Sequence, residues 1–97
     1  MTELDPDSVL AALSRDLRLR VFVRHGEIAV MPARQSRRRL LLNEVAQAFE
    51  PGVRYPERVV SNFLAELHAD YAALRRYLVD EGFLERADND YWRIGGG

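Results

Sequence analysis

The stretch ALRRYLVDEGFLER, residues 73–86, predicts a helix that stops at a glycine and leads directly into a strand. Asp70 can cap the helix, and Gly82 is the residue type that most often follows a helix C-terminus. Apolar residues recur at helical spacing and are expected to face inward: Tyr71, Leu74, Tyr77 and Leu78. Two adjacent arginines lie on this helix, which raises the question of whether it reads DNA.

Two further helices are predicted before this one. Ser36 can cap the first, which continues through RRRLLLNEVAQAF and ends at Pro51-Gly52. Pro56 can start the second, PERVVSNFLAEL. Their expected buried residues are Leu41, Leu42, Val45, Ala48 and Phe49 in the first, and Val60, Phe63, Leu64 and Leu67 in the second.

Downstream, FLER and YWRI flank the turn sequence ADND and predict a hairpin, followed by a loose GGG tail. The order over residues 36–94 is therefore three helices and a hairpin, with a tight turn between the last two helices. This is the layout of a winged helix-turn-helix.

Residues 1–31 predict an additional helix and hairpin. Asp5 and Pro6 can begin a short helix. In LRLRVFVRHGEIAVM, alternating apolar residues from Leu17 to Val23 and the turn His25-Gly26 indicate two strands. The predicted fold is one α+β domain over residues 1–97, a winged helix-turn-helix preceded by a helix and a β-hairpin.

Composition narrows the class of protein. The 97 residues carry a net charge of −1 and no cysteine, which excludes disulfides and thiolate chemistry. Without a signal-peptide pattern or a membrane-length apolar run, a cytoplasmic protein with no membrane contact is expected.

Every basic residue is arginine, a usage that a GC-rich genome would also explain. Eight arginines lie between Arg15 and Arg39 with two acids, whereas six arginines and ten acids follow from Leu40 onward.

The run YPERVVSNFLAELHADYAALRRYLVDEGFLER, ending in YWR, resembles the bacterial family called domain of unknown function 2087. The segment LRRYLVDEGFLER carries most of the likeness, which spans roughly Phe22 to Arg93. The family occurs alone or fused to ArsR-type transcription regulators, so the resemblance implies transcription regulation by association and no reaction. The chain departs from the family's E-V-N segment at Val59 and Ser61, and from its helix-capping hydroxyl at Pro56.

Arg75 and Arg76 are the candidate base-reading residues. Arg76 is expected to point away from the core beside Ala72 and Ala73, where an exposed arginine could bind the two acceptors of guanine. The alternative is structural, with Arg76 paired to Asp80 four residues on and Arg75 paired to an acid of the preceding helix.

The candidate phosphate contacts fall in two groups. The first lies at a helix start, where cations do not stabilise the helix: Arg34, Arg37, Arg38 and Arg39. The second, Arg86 and Arg93, belongs to the C-terminal hairpin, whose acidic tip opposes DNA. A solvated arginine face is the alternative for the first group. Trp92 is expected to be a core residue rather than a stacking platform.

No nucleophile and base pair, P-loop or dinucleotide loop is present, so an enzyme and a cofactor are not expected. Glu66, His68 and Asp70 do not share one helical face, so no metal site is expected. The leading hypothesis is a DNA-binding transcription regulator, and the free edge of the first hairpin suggests a homodimer. The alternative is a protein-interaction or effector-sensing module on the same frame that does not bind DNA.

Overall fold

The computed structural model describes residues 3–97, which form an α+β fold of four helices and small antiparallel sheets. The helices are α1 (Pro6–Arg15), α2 (Gln35–Ala46), α3 (Glu57–Ala65) and α4 (Tyr71–Asp80), and a 3-10 turn spans Arg20–Phe22. The strands are β1 (Val23–Arg24), β2 (Glu27–Ile28), β3 (Tyr55–Pro56), β4 (Leu84–Ala87) and β5 (Asp90–Arg93).

The strands form two separate sheets. β1 and β2 make a short ribbon, whereas the second sheet has the order β3-β5-β4, so β5 is central. Tyr55 pairs with Tyr91 on one side of β5, and Arg86 pairs with Tyr91 on the other. From α2 onward the order is therefore helix, strand, helix, helix, strand, strand, and the short strand before α3 joins the C-terminal hairpin.

The helices and the three-stranded sheet enclose one apolar core, with no buried polar or charged residue among residues 3–97. The apolar stripes predicted for α2 and α3 are confirmed, except that Ala48 is only half-buried. Full burial of a leucine or phenylalanine side chain contributes roughly 1.5–3 kcal/mol. The fully enclosed side chains include Leu41, Leu42, Phe49, Leu64, Leu67, Leu74, Leu78 and Tyr91.

Several local signals are confirmed. The carboxylates of Asp5 and Asp70 accept hydrogen bonds from the Asp7 and Ala73 amides and cap α1 and α4. Gly82, which follows α4, has a φ of +82°, a left-handed conformation that favours glycine. The tight turn Asp88-Asn89 connects β4 to β5 with positive φ at both residues.

The prediction of a long N-terminal hairpin is wrong before Val23. The Asp16 carboxylate accepts the Arg18 amide at 2.8 Å, and the Asp16 carbonyl accepts the Arg20 amide at 2.9 Å. These bonds fold the chain into turns, because a local aspartate contact competes with strand pairing. As a result Leu19 is buried but Leu17 is 74% exposed and Val21 is 60% exposed. The strands keep two residues each around the His25-Gly26 turn.

Four smaller predictions are also wrong. Helix α2 begins at Gln35, so Ser36 lies inside its first turn and Arg34 occupies the cap position without a side-chain bond. Tyr71 is exposed because it is the first residue of α4. Tyr91 fills the core in place of Trp92, which points to the other face of β5 and is half-buried. The GGG tail is held, since Asn43 exchanges two hydrogen bonds with Gly97.

The N-terminal ribbon is attached to the turn between α3 and α4. The Ile28 amide donates to the Leu67 carbonyl at 2.6 Å, and His68 Nδ1 lies 2.6 Å from the Ile28 carbonyl. A carbonyl only accepts, so Nδ1 carries the proton of this contact. Ile28 itself is fully buried. These bonds fix the N-terminal ribbon against the turn between the two helices.

Candidate nucleic-acid interface

Helix α4 has one buried side and one open side. Leu74 and Leu78 lie in the core, whereas Ala72 and Arg76 are exposed. Its two ends are fixed by the Asp70 cap and by Gly82. The open side is therefore presented on a rigid helix of ten residues, which is about 15 Å long at 1.5 Å per residue.

The two candidate base-reading arginines lie in different environments. Arg75 is half-buried, and its Nη1 donates to the Ser61 hydroxyl of α3 at 2.5 Å. Arg76 is exposed and makes neither a hydrogen bond with its side chain nor an ion pair within residues 3–97, so the alternative pairing with Asp80 is not formed. Arg75 thus ties α4 to α3, and Arg76 is the cation that α4 offers to solvent.

The two candidate arginines of the C-terminal hairpin also differ. The Arg86 guanidinium is exposed and lies 5.8 Å from the centre of the Tyr91 ring. Arg93 instead turns inward, where its Nε donates to the Gly95 carbonyl at 3.1 Å and its Nη1 to the Phe49 carbonyl at 3.3 Å. Arg86 is therefore open to a ligand, whereas Arg93 fastens the end of β5.

A groove of about 230 Å³ runs between α4 and the C-terminal hairpin, and we call it the α4 groove. Three guanidinium groups border it, and Asp80 is its one acidic residue. Small or apolar side chains form the rest of the wall. Its lining residues are Ala72, Arg75, Arg76, Val79, Asp80, Arg86 and Tyr91.

Tyr91 fixes the position of the hairpin at this groove. It is 1% exposed, and its hydroxyl donates to the Glu57 carboxylate of α3 at 2.9 Å. Burial raises the pKa of Tyr91 above its ordinary value of 10.0, and the hydrogen bond to Glu57 raises the pKa further. The Glu57 amide also donates to the Asn89 carbonyl at the hairpin turn. Side-chain and backbone bonds therefore join the first turn of α3 to the hairpin.

The arginines of α2 are mostly engaged within the molecule. Arg38 Nε donates to the Glu81 carboxylate at 2.7 Å, and the Arg38 guanidinium also lies 4.9 Å from the Tyr77 ring centre. Arg39 donates to the Glu81 carbonyl at 3.0 Å and stacks on Phe83. These contacts join the start of α2 to the end of α4 and occupy much of both guanidinium groups.

Arg34 and Arg37 lie on a different surface from the α4 groove. Arg34 is exposed with no side-chain partner among residues 3–97. Arg37 Nη1 donates to the Arg18 carbonyl at 2.9 Å, and its charge interacts with the Asp16 carboxylate. Neither residue lines the α4 groove, whose lining residues all belong to α4, β4 and β5.

Comparison with known proteins identifies a family. The model of DUF2087, described as an uncharacterized protein conserved in bacteria, matches residues 27–93 of the 97. The chain belongs to this family. The match begins at β2 and ends with β5, so α1 and most of the N-terminal turns precede the DUF2087 region. Neither the curated proteins nor the solved structures give a significant match.

Val59 and Ser61, the two positions in helix α3 where the chain departs from the resemblance, both have structural contacts. Ser61 accepts the Arg75 hydrogen bond, and Val59 is half-buried and packs against the core. Glu57 binds Tyr91. The roles of Glu57, Ser61 and Glu81 could not be predicted from a local pattern, because each contacts a residue 14 to 43 positions away.

Within residues 3–97, no three histidine, cysteine, aspartate or glutamate residues are grouped so that they could hold a metal ion. The same part of the chain has no helix that is long and apolar enough to span a bilayer.

Proposed function

We propose that residues 35–93 form a winged helix-turn-helix that binds duplex DNA and regulates transcription, with α4 as the recognition helix. The arrangement of elements supports this fold. A strand separates the first two helices and joins the C-terminal hairpin in a sheet of order β3-β5-β4. In a helix-turn-helix, the second helix of the pair enters the major groove, which corresponds to α4 here.

The observation that carries the proposal is the open position of Arg76. An exposed arginine on the outer side of a rigid helix can bind O6 and N7 of guanine with two hydrogen bonds. Ala72, one turn before it, is also exposed and small, so the helix can approach base edges closely. Because Arg76 has no partner within residues 3–97, DNA does not have to break an existing ion pair.

Phosphate contact in this proposal belongs first to Arg86, which is exposed on the hairpin beside the same groove. Arg75 adds positive charge at the groove wall while it holds Ser61. Arg38, Arg39 and Arg93 serve mainly as internal ties, since each binds carbonyl or carboxylate groups of the protein. Arg34 and Arg37 lie outside the α4 groove, so the phosphate role predicted for them stays a prediction that this proposal does not use.

The proposal is tested by selecting duplexes from a random pool with the whole chain. The expected result is an enriched sequence that contains guanine and is bound in the α4 groove. Arg76→Ala should then relax the preference at one base position, and Arg24→Ala, which changes an exposed arginine of the N-terminal ribbon, should not. An enriched sequence whose preference is unchanged by Arg76→Ala would contradict base reading by α4.

A second candidate function is a protein-interaction or effector-sensing module that uses this frame without DNA. The acidic side chains of the hairpin favour it, because the exposed Glu85 and Asp88 lie on the element that would have to approach phosphates. This reading predicts no enrichment from the random pool and no duplex binding even at low salt.

A further inference from the structure

A second surface lies away from the α4 groove, at the N-terminal turns and the start of α2. It combines exposed aliphatic side chains with arginines. We call it the N-terminal patch and define it by Leu17, Arg18, Val21, Val30, Arg34 and Arg37. Of the large hydrophobic side chains that are exposed in residues 3–97, three belong to this patch, namely Leu17 (74%), Val21 (60%) and Val30 (55%).

Hydrogen bonds and chain neighbours make the patch continuous. The Arg37 side chain donates to the Arg18 carbonyl, which places the start of α2 beside Leu17. The Ala29 amide donates to the Phe22 carbonyl at 2.8 Å, which brings the neighbouring Val21 and Val30 to the same stretch of ribbon. Phe22 also lines an open groove of about 460 Å³ together with Pro32, Ala33, Arg34 and Arg37.

The charge of the patch is positive. Arg18 pairs with Asp16 at 3.0 Å, so its charge is matched. Arg34 has no side-chain partner among residues 3–97. Arg37 donates to the Arg18 carbonyl and also interacts electrostatically with Asp16, so Arg18 and Arg37 share one acid. The arginines of the patch therefore outnumber the acid beside them and leave a net positive charge at an apolar groove. An exposed apolar surface bordered by charge is typical of a protein interaction site.

We infer that the N-terminal patch binds an acidic segment of another protein that also presents aliphatic side chains. Carboxylates of the segment pair with Arg34 and Arg37, and its aliphatic residues cover Val21, Val30 and Leu17. This inference goes beyond the proposed DNA binding and uses a different surface.

Other ligands fit these observations less well. DNA interfaces are polar, and a phosphate backbone does not cover three aliphatic side chains. A bilayer surface does not fill a concave groove. A second copy of the chain in a two-fold arrangement would place the same arginines against each other, which is unfavourable.

The test selects peptides of about 12 residues from a random display library with the whole purified chain. The expected peptides carry several aspartates or glutamates together with leucine, isoleucine or valine. Val21→Ser and Arg34→Glu should each weaken binding of a selected peptide at least about fivefold, because one removes an apolar contact and the other reverses a charge that pairs with the peptide. Both residues are exposed, so the fold should not depend on them.

Matched controls separate this surface from the rest of the chain. Ile94→Ser removes an aliphatic side chain of similar exposure outside the patch, and Arg76→Glu reverses a charge in the α4 groove. Neither should change peptide binding, whereas Arg76→Glu should abolish DNA binding. Peptide binding can therefore succeed or fail independently of DNA binding.

The inference is overturned if the library yields no enrichment of acidic peptides, or if Val21→Ser leaves peptide binding unchanged. It is also overturned if Val21→Ser weakens the binding of duplex DNA or of anionic vesicles, or the self-association measured by sedimentation, because the patch would then serve that ligand.

Discussion

Arg38 Nε and a carboxylate oxygen of Glu81 lie 2.7 Å apart, and this ion pair joins the first turn of α2 to the residue that follows α4. The Arg38 and Glu81 side chains are only 18% and 9% exposed. A hydrogen bond between charged groups that are this shielded contributes more than an exposed pair. The arginines at the start of α2 therefore help to position α4.

Arg38→Ala should lower the free energy of unfolding by about 2 kcal/mol, because it leaves the Glu81 carboxylate without its closest partner. Urea unfolding followed by circular dichroism measures this change. Arg34→Ala is the matched control and should stay within about 0.5 kcal/mol of the parent, since Arg34 is exposed and unpaired within residues 3–97. Equal effects of the two substitutions would show that the ion pair adds no stability.

The contact between Tyr91 and Glu57 should make stability depend on alkaline pH. The folded pKa of Tyr91 is raised above 10.0, so its contribution is complete below pH 10, where the hydroxyl is protonated in both states. The contribution is lost as the pH rises from 10 through the folded pKa, because the unfolded chain then releases the proton more readily. Urea midpoints from about pH 9 to about pH 11 measure this loss.

Tyr91→Phe is the control for that titration. It should cost roughly 1–2 kcal/mol at neutral pH through the lost hydrogen bond, and it should make the alkaline decline shallower. An identical alkaline decline in the parent and in Tyr91→Phe would mean that other groups are responsible.

Substitution of Arg75 should affect the stability of the fold, whereas substitution of its neighbour Arg76 should affect the binding of DNA. Arg75→Ala removes the bond to Ser61 and should lower stability by about 1–2 kcal/mol. Arg76→Ala should leave stability within about 0.5 kcal/mol and weaken binding to a selected duplex by roughly 1–3 kcal/mol. Urea unfolding measures the stability, and fluorescence anisotropy measures the binding of the duplex. A loss of stability in Arg76→Ala would show that the Arg76 side chain has a structural contact.

The C-terminal tail should tolerate a side chain at one glycine but not at another. A Cβ at Gly95 would lie 2.4 Å from the Gly82 carbonyl oxygen, whereas a Cβ at Gly97 meets nothing within 4 Å. Gly95→Ala should therefore cost about 1–3 kcal/mol, since backbone must shift to relieve the contact. Gly97→Ala should be close to neutral by thermal unfolding. A neutral Gly95→Ala would show that the tail is as loose as its sequence predicted.

The elements that local chemistry determines could be predicted from the sequence. The caps at Asp5 and Asp70, the stop at Gly82 and the apolar stripes of α2 and α3 each depend on residues within one or two helical turns. The long first hairpin could not be predicted correctly, because the Asp16 turn competes with the alternating pattern and prevails. Alternation alone does not reveal such a contact.

The candidate site was predictable only in outline. Arg76 was correctly expected to be exposed, because its place on the helix determines which side it faces. The engagement of Arg38 with Glu81 and of Arg93 with Phe49 joins residues more than 40 positions apart. Only the packing of α2 against α4, and of β5 against the segment after α2, brings those residues together. The sequence alone could not show that these two guanidinium groups are engaged within the protein, and their phosphate role stays a prediction.

DNA recognition through the α4 groove is tested most directly by measuring the binding of the whole chain to random genomic duplex fragments across a salt series. We expect binding at low salt that weakens steeply as salt rises, with a slope that falls by roughly one unit in Arg86→Ala when one phosphate contact is lost. Absence of binding at the lowest salt, or binding with a slope unchanged by Arg86→Ala and an affinity unchanged by Arg76→Ala, would contradict DNA recognition through the α4 groove.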